Sequence, residues 1–91
     1  MKYNEDEILA EILEYIKGSY SNHYAKDGGM NAIDVWEAMG TGETTCRDTA
    51  IKYLMRYGEK EGFNRMDLIK CIHYVVVILG MSDKKLPDIN N

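Results

Sequence analysis

Lys52, Tyr53 and Arg56 fall on about one helical turn, Tyr57 and Lys60 come next, and Lys70 and Tyr74 share a face of the segment that follows. Flat rings beside fixed cations are what a nucleotide requires, because rings stack on the base and cations form charge-assisted bonds to phosphate. A purely structural reading also fits these residues: the tyrosines pack across a helix pair with their hydroxyls at the rim. His23, set between Asn22 and Tyr24 ahead of Gly28-Gly29, supplies a hydrogen-bonding group that titrates near neutrality. The expected ligand set is therefore His23, Tyr24, Trp36, Lys52, Tyr53, Arg56 and Lys60. In it Lys52, Arg56 and Lys60 neutralise phosphate, His23 adds a hydrogen bond, and Tyr24, Tyr53 or Trp36 stacks on a base.

Other chemistries find less in the sequence. No GxxxxGK[ST] stretch occurs, which excludes a P-loop. Gly40-Thr41-Gly42-Glu43-Thr44-Thr45 leads into a helix start, where free amides favour an anion, but such residues also simply turn a chain and cap a helix. Glu11 with Glu14, and Asp34 with Glu37, have the i, i+3 spacing by which helical enzymes hold magnesium, a hard cation that prefers oxygen ligands. Glu11 and Glu14, however, lie opposite the apolar stripe of their helix. Two histidines, His23 and His73, lack a third ligand at helical spacing for zinc, and His73 reads as a packing residue. Cys46 and Cys71 are too far apart for a CxxC site and suit reduced thiols in a cytoplasm. No catalytic group, metal ligand or cofactor is assigned.

The elements that must position the cations and rings follow from patterning. At 91 residues, with 45% hydrophobic and 29% charged residues, the chain reads as one soluble domain with a thin core, for which self-association is a natural remedy. Residues 5–17 place Ile8, Ile12 and Ile16 on one face with Leu9 and Leu13 beside them, and Gly18 is expected to end that helix. Residues 19–29 read as an ordered loop. A second helix spans Met30 to Met39, and Gly40-Thr41-Gly42 breaks it. Thr45 with Asp48 suggests the start of a third helix, with Ala50, Ile51, Leu54 and Met55 as its buried side. Gly58 and Gly62 bracket a turn, and Asn64 caps a fourth helix running to about Leu79. The second half of that helix is apolar almost all round, which favours a partner subunit.

The fold expected is thus all-α, a compact homo-oligomeric bundle of about four helices, with residues 1–80 as a single domain and 81–91 as a polar tail. The longest apolar run, Tyr74 to Leu79, is too short to span a membrane. The acidic N-terminal residues do not read as a signal peptide. A net charge of −4 disfavours DNA, although its distribution is uneven. Residues 1–14 set Lys2 against Glu5, Asp6, Glu7, Glu11 and Glu14, whereas residues 45–74 carry an excess of cations.

Asn22-His23-Tyr24, Gly28-Gly29, Ile33-Asp34-Val35, the run from Ala50 to Gly58 (AIKYLMRYG), Asp67-Leu68-Ile69-Lys70 and Tyr74 together resemble the small phage-protein family DUF3310, or SaV-like. The match in order and spacing covers residues 22–79. It departs at Asp48-Thr49, where the family usually has Gly-Asn, and at His73, where it often has Trp. The resemblance implies phage origin and a host-cytoplasmic location. It also implies a link to nucleotides, since relatives include part of a phage nucleotide kinase that lacks a P-loop. The function expected is non-catalytic binding, or sequestration, of a nucleotide or cyclic-nucleotide signal, countering bacterial defence. Two alternatives stay open: a kinase-like enzyme acting on deoxynucleoside monophosphates, and a phage factor that binds and inhibits a host enzyme.

Overall fold

The computed structural model describes the backbone of residues 1–26 and 31–85 and the side chains of 1–21 and 31–85. The described residues form four helices and no strand: α1 (Glu5–Lys26), α2 (Ala32–Ala38), α3 (Gly42–Arg56) and α4 (Arg65–Lys85). Two compact units result, Met1–Ala32 and Ile33–Asn91.

The first unit is built on α1, which opens on Glu5, Asp6 and Glu7, acids that favour the positive end of the helix dipole. Gly18 does not end it. A glycine inside a helix costs roughly 1 kcal/mol relative to alanine, and without a following turn the chain absorbs that cost. The expected loop at 19–29 is therefore helical as far as Lys26. Leu9 and Leu13 remain exposed.

In the second unit, α2 stops in a Schellman motif. The Thr41 N–H donates to the Trp36 carbonyl at 2.9 Å and the Gly40 N–H to the Glu37 carbonyl at 3.0 Å. Gly40 takes the left-handed conformation that this ending demands, with φ of 82°. The Thr41 hydroxyl also reaches the Trp36 carbonyl, at 3.4 Å. The corner thereby fixes Trp36 from its backbone side.

α3 starts four residues earlier than the Thr45–Asp48 pattern suggests. Thr41 occupies its N-cap without a side-chain hydrogen bond to the amides of α3, and the Thr45 carbonyl accepts from the Thr49 hydroxyl at 2.7 Å. Of the expected buried side, Ala50 is buried and the other three residues are not. Gly42, Cys46 and Ala50, at i, i+4 and i+8, are buried, whereas Ile51, Leu54 and Met55 are exposed, Met55 at 72%. Small residues let α4 approach closely, and α3 and α4 pack as an antiparallel pair. Their ends are tied by Lys85 Nζ to Glu43 Oε2 at 2.9 Å and by Arg56 to Asp67. From α4, Asp67, Ile69 and His73 are buried.

The turn between them forms as the sequence indicates. The Gly58 N–H donates to the Gly62 carbonyl at 2.8 Å, and Asn64 Oδ1 accepts from the Met66 N–H at 2.9 Å, capping α4. α4 runs to Lys85, past the expected end near Leu79 and into the expected tail, of which 86–91 lie outside the described residues. Its outward face, Ile72, Val75, Val76 and Leu79, follows i, i+3, i+4, i+7 spacing and is exposed. No helix among the described residues is long and apolar enough to cross a membrane.

At Gly42 the start of α3 lies against Glu37 of α2 and Met81 of α4. A Cβ there lies 3.1 Å from Glu37 Cα, 3.2 Å from Glu37 N and 3.0 Å from Met81 Cε. Backbone on one side cannot yield as a side-chain tip can. Gly42→Ala is expected to lower stability by about 1–2 kcal/mol despite alanine's better helix propensity. A melting temperature equal to or above wild type would show the corner to be looser than described.

Candidate functional site

The second unit gathers aromatic rings from three helices into a row. Trp36 of α2 lies 6.4 Å from Tyr74 of α4, and Tyr74 lies 6.1 Å from Tyr53 of α3, with interplanar angles of 29° and 16°. All three are half-buried. His73, beside Tyr74, is buried, and that burial lowers its pKa from the usual histidine range.

Cations stand at the Tyr53 end. Lys52 Nζ sits 4.6 Å from the Tyr53 ring centroid, and Lys70 Nζ, from α4, sits 5.5 Å from it. Each contact contributes about 0.5–1 kcal/mol at a partly exposed site. Neither lysine is ion-paired with a carboxylate among the described residues, in contrast to Lys17 with Glu14 and Lys85 with Glu43. Lys52 is exposed and Lys70 half-buried.

Arg56 behaves differently. Its guanidinium lies between two acids, with Nη2 3.5 Å from Glu61 Oε1 and Nε 3.5 Å from Asp67 Oδ1. Asn64 Nδ2 also donates to Glu61, through Oε2 at 3.1 Å. The group forms a clasp that ties the end of α3 to the turn and to the start of α4. At 3.5 Å these contacts are Coulombic rather than good hydrogen bonds, and the Arg56 side chain keeps 28% of its surface while that of Asp67 keeps 5%. Lys60 is exposed in the turn, where its N–H reaches the Arg56 carbonyl at 3.4 Å.

Of the expected ligand set, then, the structure brings together Trp36, Lys52 and Tyr53. It commits Arg56 to acids and leaves Lys60 on the turn. His23 and Tyr24 are on the helical backbone of α1 rather than in a loop, and their side chains lie outside the described residues. Lys70 and Tyr74 join the row. Their signal was their i, i+4 spacing, which puts both on one face of α4.

A separate open cleft of about 650 Å³ lies at the other end of the helix pair, lined in part by Gly42, Thr44, Arg47 and Lys84. It includes the start of α3, about 20 Å along that helix from Arg56. Glu37, which has i, i+3 spacing with Asp34, also lines it. No three His, Cys, Asp or Glu side chains among the described residues are grouped to hold a metal ion. Both cysteines are free, and burial raises the pKa of each thiol, helped at Cys46 by the Glu37 carboxylate. A protonated, buried thiol is a poor nucleophile.

Removing Arg56 strands a buried Asp67, so Arg56→Ala is expected to cost about 1–2 kcal/mol in chemical denaturation, below the range for a fully buried pair because Arg56 still meets solvent. Lys52→Ala should stay within about 0.5 kcal/mol of wild type. Equal effects from the two would mean that the clasp does not hold the turn.

A family model described as DUF3310, protein of unknown function, matches residues 16–76. No curated protein and no solved structure matches the chain.

Proposed function

This chain belongs to the DUF3310 family, and from that premise we propose that it is a phage protein that binds a nucleotide, open or cyclic, and holds it without catalysis in the cytoplasm of a bacterial host. One observation carries the reading: the Tyr53 ring has two lysine ammoniums beside it and stands in a row with Tyr74 and Trp36. A phosphate finds cations at one end of the row, and a base finds an aromatic surface along it. Trp36, Lys52, Tyr53, Lys70 and Tyr74 are the groups that hold the ligand. Sequestration of a signal made by bacterial defence is the role that suits a binder of this kind.

The same protein self-associates in this reading. Ile72, Val75, Val76 and Leu79 make an uncharged, exposed stripe on α4, and Ile51, Leu54 and Met55 make another on α3. Contiguous exposed apolar surface of this sort marks an interaction face, and the occupant we assign is a second copy of the chain. The same stripes are what favour the alternative of a factor that captures a host protein. Val76→Asp with Leu79→Asp tests the assignment by sedimentation: wild type is expected to be oligomeric and the variant monomeric and folded. A monomeric wild type at its highest soluble concentration would remove the second copy as occupant.

Trp36 is the single tryptophan of the chain, so its fluorescence reports on the row directly. Titration with nucleoside monophosphates, triphosphates and cyclic mono- and dinucleotides is expected to give a saturable change with at least one of them, weakened by Lys52→Ala. A panel that produces neither a fluorescence change nor a thermal shift would end the proposal.

A further inference from the structure

Lys70 is half-buried, and no carboxylate pairs with it among the described residues, so its charge is compensated there by the face of Tyr53 alone. Lys52 directs a second ammonium at the same ring. Two like charges drawn to one half-buried ring repel each other through surroundings less polar than water, and partial burial adds a desolvation cost for Lys70. An aromatic quadrupole offsets part of this; a counter-anion offsets far more. Arg56, one turn along α3 from Lys52, is held by Glu61 and Asp67 and is therefore committed to the turn rather than to an incoming anion.

We infer that Lys70 is a ligand-binding residue and that Lys52 and Lys70 together seat one terminal phosphate as its dianion. The inference rests on the nucleotide reading above and narrows it. Two ammoniums match the double charge that a phosphate monoester carries above its second pKa of about 6. A phosphodiester closed into a ring carries a single charge and leaves one lysine uncompensated. The favoured ligand is therefore open, with its phosphate at an end.

The test uses the whole protein, Trp36 fluorescence, and three probes that share a base: adenosine, 5′-AMP and 3′,5′-cyclic AMP. Wild type is expected to bind 5′-AMP at least tenfold more tightly than either of the others, and to lose that preference as pH falls below about 6 and the phosphate takes up a proton. Lys70→Gln should cost about tenfold in affinity for 5′-AMP and abolish the pH dependence, leave adenosine unaffected, and be largely rescued by Lys70→Arg. Circular dichroism confirms that each variant is folded. If adenosine binds and 5′-AMP or Lys70→Gln makes no difference, the phosphate seat is wrong while the aromatic site stands. If none of the three probes nor any other nucleotide binds, both fall.

Discussion

Close packing of α3 on α4 is the constraint from which the rest of this unit follows. α3 presents Gly42, Cys46 and Ala50 to its neighbours, side chains too small to hold another helix at a distance. α4 buries Ile69 and His73 in return. Antiparallel packing of these two faces puts Tyr53 opposite Tyr74 and brings Lys70 within reach of a ring on the other helix. The Schellman ending of α2 then holds Trp36 at the far side of Tyr74. The aromatic row is thus a consequence of backbone geometry and small-residue packing, and no ring needs a partner of its own chemistry to be held in place.

Charge is partitioned along the same helix pair. Arg56 is spent on structure, whereas Lys52 and Lys70 are paired with no carboxylate among the described residues. Arg56 spans from Glu61 to Asp67, closing the turn as Asn64 caps α4. Lys52 and Lys70 stand instead over the Tyr53 ring. Arginine suits the first role because its several donors can address two carboxylates at once, and lysine suits the second because a compact ammonium can turn from a ring to an incoming anion.

Sequence patterning located α3 and α4, the glycine-bracketed turn and the Asn64 cap, since each rests on local rules of spacing and backbone chemistry. It misplaced what depends on neighbours. Ala50 is buried as its pattern indicates, but Ile51, Leu54 and Met55 are not, and burial went instead to Gly42 and Cys46, because the partner helix selects the face that permits closest approach and not the most hydrophobic one. Gly18 looked like a stop, but a glycine ends a helix only where the following residues turn away. For the site, ring types and lysines were legible, and the fate of Arg56 was not: its acids come five and eleven residues later, across a turn whose geometry no charge count contains. Membership of Lys70 and Tyr74 in the row was written in their spacing, but it acquired meaning only once Tyr53 stood opposite them.

The central claim is that the Tyr53 end of the row receives a ligand, and ring signals report on it residue by residue. Tyr3 supplies an internal control, since it has a lysine of its own, Lys2 at 5.5 Å, but no ring row and no second cation beside it among the described residues. In a protein with isotopically labelled tyrosine and tryptophan, NMR titration with 5′-AMP is predicted to move the ring resonances of Tyr53, Tyr74 and Trp36 together along one binding curve and to leave Tyr3 unmoved. Equal shifts at Tyr3 and Tyr53, or a row that stays still while signals elsewhere respond, would contradict the account.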